Sequence, residues 1–204
     1  MDELILAFDR ALRAVAGVAV SGRPIPGDEL TCMLGDDERA ESARLMRVNH
    51  SGEVCAQALY QGQAVFARDP EVRRALDHSA NEEVEHLAWT GQRVAELGGA
   101  TSRLDPLWYF GAFTIGAVAS AAGDRWSLGF LRETERQVVE HLDGHLNRLP
   151  LADQKTRAIV DAMREDEARH ADHAAALGAA ELPVPVKLMM RAASRVMTTL
   201  SYRG

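Results

Sequence analysis

Glu83-Val84-Glu85-His86 and Glu167-Ala168-Arg169-His170 repeat one pattern, a Glu and a His three residues apart. Each is preceded by a lone glutamate: Glu53 stands 30 residues before Glu83, and Glu135 stands 32 residues before Glu167. Residues three apart share a helix face, so each Glu–His pair points one way if its segment is helical. Breaker chemistry places a turn between the members of each set. Asp69-Pro70 lies between Glu53 and Glu83, with Asp suited to cap and Pro to open a helix. Pro150 divides Glu135 from Glu167. The midpoint of the first set falls at Arg68 and that of the second at Leu151, on those two breaks. Antiparallel helices level residues that are equidistant from their turn, so each hairpin is expected to bring its lone Glu level with its Glu-x-x-His.

Two such hairpins face to face gather four carboxylates and two imidazoles, the ligand set of a carboxylate-bridged di-iron or di-manganese bundle. Four buried carboxylates would not stay ionised together without cations. The expected metal ligands are therefore Glu53, Glu83, His86, Glu135, Glu167 and His170, with Glu53 and Glu135 terminal and Glu83 and Glu167 bridging. Oxygen and imidazole donors suit iron(II), with manganese(II) the alternative. A lone Glu-x-x-His carries little weight; two, each with a mirror-placed Glu, carry a great deal more. Around this set, His50, His141, Asp166 and His173 are candidates to orient the ligands by hydrogen bonding. Arg169 is expected to form ion pairs outside the site. Tyr60, two turns from Glu53 on the same face, is read chiefly as a core residue.

The rest of the chain fits an all-α protein. Its 204 residues suffice for one domain with a sizeable core. They are 47% hydrophobic but only 5% aromatic, which favours helices over sheet. A formal charge of −7 disfavours nucleic acid as a partner. Cys32 and Cys55 form no C-x-x-C and are expected as reduced thiols. The N-terminus resembles neither a secretory signal nor a transit peptide, which suggests a bacterial cytoplasmic protein. The expected helices span 2–20, then Asp36 or Asp37 to about Arg68, 70–97, 106–123, 124–148, 152–177 and 186–202. The Ser21–Gly27 linker separates residues 1–27 from a main domain, 28–204.

Residues 106–123 carry no charge. They lie between the two hairpins, so a single membrane crossing would put the halves of the site on opposite sides of a bilayer. The stretch is expected instead as the long apolar crossover helix of a ferritin-like four-helix bundle, packed on the protein or lying in a membrane interface. In the last helix Lys187, Arg191 and Arg195 make a basic stripe beside an apolar face of Met189, Met190, Ala193, Val196, Met197 and Leu200, and no acid follows Glu181. A basic amphipathic helix suits an anionic membrane surface.

Several of these elements resemble one family. Arg47-Val48-Asn49-His50-Ser51-Gly52-Glu53, Tyr60-Gln61-Gly62-Gln63, Glu83-x-x-His86-Leu87, Pro106-Leu107-Trp108, Glu135 with His141, and Asp166-Glu167-x-x-His170 are similar to the demethoxyubiquinone hydroxylases of ubiquinone biosynthesis. The resemblance runs from about residue 40 to the C-terminus. It implies a ferritin-like, membrane-associated di-iron mono-oxygenase that hydroxylates a polyprenylated methoxy-methyl-benzoquinol with dioxygen. It also implies an external reductant of the NADH type, delivered directly or through the quinol. No G-x-G-x-x-G follows a strand, so no Rossmann domain is expected. The expected partners are the quinol, a membrane surface, and further copies of the chain or other ubiquinone-biosynthesis enzymes; the expected location is the cytoplasmic face of a bacterial inner membrane. The chain departs from the family's His-Tyr-x-x-Gln run at Leu142 and His145. An iron-storage ferroxidase shares the six ligands and is the main rival; a hydroxylase of another hydrophobic or tRNA substrate and a metal-free helical membrane adaptor are weaker ones.

Overall fold

The computed structural model describes residues 13–14 and 19–204. The helix expected over 2–20 falls almost wholly outside the described residues. Among them six helices follow one another: α1 (Asp36–Phe66), α2 (Pro70–Glu96), α3 (Asp105–Ala121), α4 (Asp124–Arg148), α5 (Gln154–Ala176) and α6 (Val184–Arg203). Every boundary lies within two residues of the sequence expectation, because the breakers act where local chemistry says they should. Asp69 caps α2 by accepting from the Glu71 amide at 2.8 Å, with Pro70 at the first helical position. Asp153 caps α5 in the same way, accepting from Thr156 N at 3.1 Å. Gly98 closes α2 at φ +75°, a conformation that favours glycine.

The hairpins α1–α2 and α4–α5 form the bundle, and α3 crosses between them. Asp124, opening α4, accepts from Arg68 N and Asp69 N at 3.1 and 2.8 Å and ties the first turn to the second hairpin. At the other end Arg93 of α2 reaches Asp153 at 2.7 Å. The crossover packs on α1 through two glycines that face each other's helix. A Cβ on Gly62 would lie 2.2 Å from the Phe113 carbonyl oxygen, and one on Gly116 would lie 2.3 Å from that of Leu59. Only glycine permits backbones this close.

The core has two main parts. One contains Met46, Trp89, Leu142 and Met163; the other contains Tyr60, Ala80, Leu131 and Ala174. On each of the four bundle helices the expected ligands fall between a residue of one part and a residue of the other. Polar groups thus sit mid-bundle, with apolar packing above and below. Among the described residues no helix is long and apolar enough to cross a membrane.

Candidate metal centre

All six expected ligands converge. Glu53, Glu83, His86 and Glu167 place ligand atoms within 4.8 Å of one another, and so do Glu135, Glu167 and His170. The groups overlap at Glu167, and each residue is at most 5% exposed. The Nδ1 atoms of both imidazoles face inward. His86 Nδ1 lies 2.9 Å from Glu83 Oε2, 3.3 Å from Glu167 Oε1 and 3.6 Å from Glu53 Oε2. His170 Nδ1 lies 3.5 Å from Glu83 Oε1 and 3.4 Å from Glu167 Oε2. The glutamates of the two Glu-x-x-His pairs therefore each approach both histidines, and the lone glutamates stand at the flanks.

The donor set is short of protons. Glu83 Oε1, Glu135 Oε2, Glu167 Oε2 and His170 Nδ1 are buried without a hydrogen-bond partner. Buried polar atoms are rarely left so, and oxygen lone pairs converging beside an imidazole nitrogen fit divalent cations. Proton affinities agree. Burial, with the neighbouring Glu83 and Glu167 charges, raises Glu53 well above the carboxylate range. Burial and the Glu167 charge do the same to Glu135. Burial also opposes charge on His86, yet the Glu83 carboxylate and the Asp166 contact outweigh it and raise His86 well above its ordinary value. His170 rises to about 9 against its burial, held by Glu167 and Glu83. Burial pushes Glu167 up as well, but Glu135, His170 and His86 reverse this and hold it low. Four of the six groups thus hold protons more tightly than usual, as expected of a cluster whose negative charge cations would otherwise balance.

The outward Nε2 atoms are held by acids. His86 Nε2 is 3.0 Å from Asp166 Oδ2, and His170 Nε2 is 2.7 Å from Glu82 Oε2. Sequence reasoning singles out Asp166 as a group that orients a ligand, but misses Glu82. The signal is nevertheless there, since Glu82 precedes Glu83 as Asp166 precedes Glu167. Arg169 pairs with both acids, at 2.6 Å to Asp166 and 3.6 Å to Glu82, in keeping with its expected place outside the ligand set. Tyr60 is a core residue and more: its buried hydroxyl donates to Glu135 Oε1, and its ring meets that of His170 edge-on with centroids 6.4 Å apart.

The other candidates stand elsewhere. His50 is turned to Thr90 Oγ1 at 3.1 Å, and burial lowers it to about 4. Beside it Ser51 donates to Asp105 at 2.6 Å, docking the start of α3. His141 stacks on His145, with ring centroids 4.0 Å apart. His173 is exposed to solvent.

Helical hairpins that bury this set of glutamates and histidines at mid-bundle define the ferritin-like class. Within that class the chain belongs to the family described as ubiquinone biosynthesis protein COQ7, whose model matches residues 40–201. It is 58% identical over 203 residues to the 3-demethoxyubiquinol 3-hydroxylase of Azoarcus sp. (strain BH72), covering 99% of this chain and 98% of that one. It is 60% identical, with the same coverage, to the 3-demethoxyubiquinol 3-hydroxylase of Nitrosospira multiformis. The protein of that name from Ralstonia pickettii is 56% identical over 215 residues, covering 100% of this chain and 99% of that one.

Proposed function

We propose that the protein is a di-iron mono-oxygenase that hydroxylates the ring of a polyprenylated demethoxyubiquinol. The observation that carries the reading is the pair of overlapping carboxylate–imidazole groups sharing Glu167. Glu53, Glu83, His86, Glu135, Glu167 and His170 would hold two iron ions, and Glu83 and Glu167 each approach both imidazoles. When bound and reduced, the iron pair supplies the dioxygen chemistry that the side chains lack. In the overall reaction a ring C–H becomes C–OH, one oxygen atom of dioxygen enters the ring, and the other leaves as water. The two electrons required come from an external reductant of the NADH type.

The chain's own groups prepare this chemistry. Glu82 and Asp166 fix the ring orientation of His170 and His86, so the Nδ1 atoms stay turned inward. Tyr60 keeps a proton at its hydroxyl against Glu135 Oε1 and steadies that carboxylate. The two apolar core parts flanking the cluster keep water from it.

A substrate with a polyprenyl tail stays in the bilayer, so the protein must meet it there. Exposed apolar residues support peripheral docking on the cytoplasmic face of the inner membrane: Leu107, Phe110, Ile115 and Val118 on α3, and Leu188, Met189, Val196 and Leu200 on α6. Further copies of the chain or other ubiquinone-biosynthesis enzymes are the partners that fit this setting.

Quinone profiling of cells lacking the protein tests the reading. Demethoxyubiquinone should accumulate, and the wild-type chain should reverse this where Glu135→Ala does not. An unchanged quinone pool would count for the ferroxidase alternative, which also predicts a large soluble cage on sedimentation.

A further inference from the structure

The linker before α1 reaches the acid that stands behind His86. Glu85, between the Glu and the His of the first Glu-x-x-His, accepts from Gly22 N at 3.0 Å and from Arg23 N at 3.2 Å, and it also bonds the Ser21 hydroxyl. Trp89, one turn on along α2, donates from its indole nitrogen to Ser21 Oγ at 3.0 Å. These bonds strap residues 21–23 onto α2 and aim the Arg23 side chain. Its guanidinium lies 4.6 Å over the Trp89 ring, and the Trp89 ring in turn lies 5.4 Å from that of His86. Its Nη2 pairs with Asp166 Oδ2 at 2.9 Å, the same oxygen that holds His86 Nε2. Arg23 thus reaches His86 through the Asp166 carboxylate, with the Trp89 ring packed beneath its guanidinium.

The other half of the centre is built differently. Glu82, the counterpart of Asp166, has Arg169 at 3.6 Å and His78 at 3.7 Å, both more distant than Arg23 is from Asp166. Arg23 and Ser21 also precede the 40–201 region that the family model matches.

We propose that Arg23 is a positioning residue for the His86 half of the metal centre, acting through Asp166, so that the linker makes the two metal positions unequal. The inference rests on the di-metal reading above. Two arginines, Arg23 and Arg169, share the charge of Asp166, and Asp166 fixes the ring through which His86 would bind. Groups that orient a metal-bound histidine typically change metal affinity by about 10–100-fold. Loss of Arg23 therefore weakens one metal position and spares the other, which a purely structural role would not do.

Cobalt(II) alone, titrated anaerobically into the full metal-free chain and followed by its visible ligand-field bands with chelator competition, tests this. The wild type should bind two ions in two resolvable steps. Arg23→Met should weaken one step, the step that His86→Ala abolishes, by less than the roughly 10–100-fold expected of Asp166→Asn, and should leave the other step in place. Arg23→Lys, which keeps the charge, should recover part of the loss. Arg23→Met combined with Asp166→Asn should bind no more weakly than Asp166→Asn alone, since the two act in series. Two unchanged steps in Arg23→Met, or equal weakening of both, would overturn the proposal. A wild-type chain that takes up no cobalt would instead remove the di-metal reading itself.

Discussion

Glu82 Oε2 lies 2.7 Å from Nε2 of His170, 88 residues further along the chain and on the opposite hairpin. Asp166 returns the contact from the other side, 3.0 Å from His86 Nε2 across 80 residues. Each hairpin supplies a histidine and the acid that orients the other hairpin's histidine. The halves of the site are cross-braced, since each acid–imidazole contact joins one hairpin to the other.

Removing one brace should therefore loosen one metal position. Glu82→Ala frees the outward nitrogen of His170 and is expected to lower metal affinity by about 10–100-fold. Competition with a coloured chelator measures it. His78→Ala is the control, because exposed His78 lies 3.7 Å from Glu82 and outside the expected ligand set. Equal affinities in Glu82→Ala and wild type would refute the brace.

Tyr60→Phe isolates a single hydrogen bond. The hydroxyl is buried and donates to Glu135 Oε1, and burial together with the Glu135 charge raises its pKa well above the usual phenol value. It is therefore a proton holder, not a phenolate. A hydrogen bond to a charged group is worth roughly 1.5–3 kcal/mol, so metal affinity or turnover should fall by about 10–100-fold while the fold survives. Circular dichroism and metal analysis on the same sample separate the two effects. Full affinity and full turnover in the variant would return Tyr60 to a plain packing role.

Proton release follows from the raised proton affinities. Glu53, Glu135, His86 and His170 all have folded pKa values above their ordinary ones in the metal-free chain. Such groups contribute stability that is fully present below their unfolded values and is lost as pH rises through the folded ones. Glu167, held low, acts oppositely, and its contribution is lost only in acid. The metal-free protein should lose thermal stability as pH climbs from about 5 towards 9. Metal binding should reverse that slope, because divalent ions replace the protons and release them. Titration calorimetry in buffers of different ionisation enthalpy should find protons released on loading near neutral pH. Uptake, or no proton exchange, would contradict the arrangement.

What can be read from sequence divides along physical lines. The helix ends are legible because Asp69-Pro70, Gly98 and Pro150 act locally, and the six converging residues because mirror spacing about a turn fixes height in a hairpin. Glu82, the Tyr60–Glu135 bond and the reach of Arg23 depend on how one element faces another, which periodicity does not encode. The last helix makes the same point. Its basic stripe reads in sequence as a membrane-facing feature, yet Lys187 pairs with Glu181 and approaches Glu133 at 3.8 Å, and Arg191 lies 3.5 Å from Glu140. Periodicity locates the stripe but not the acids it meets.

Close backbone packing predicts intolerance at the crossover. Gly62→Ala would drive a methyl group to within 2.2 Å of the Phe113 carbonyl oxygen and 2.9 Å of the Ala117 amide nitrogen. Neither obstacle is a flexible side chain, so α3 must shift away from α1. Overpacking of this kind costs about 1–3 kcal/mol, readable as a lower urea midpoint. Gly111→Ala, with open space where its Cβ would sit, should leave the midpoint unchanged or raise it slightly. Equal midpoints for Gly62→Ala and wild type would mean that the helices do not meet as described.

The same crossover predicts how the proposed docking on lipid would be driven. Two of the three stripe cations already face acids of the chain, whereas Leu107 and Phe110 are 60% and 70% exposed on α3. Docking should therefore be driven by apolar burial more than by attraction to anionic headgroups. Burying one such side chain is worth roughly 1.5–3 kcal/mol. Leu107→Ser combined with Phe110→Ser should then cut partitioning onto phosphatidylglycerol-containing vesicles by about 100-fold or more. Raising salt from about 0.1 to 1 M shortens the screening length from about 10 to 3 Å and should change wild-type partitioning far less than the double substitution does. Vesicle flotation reads both. Binding that vanishes in salt and ignores the two serines would place the contact on the basic side of α6 instead, with Arg195 and Arg203 as the residues to test next.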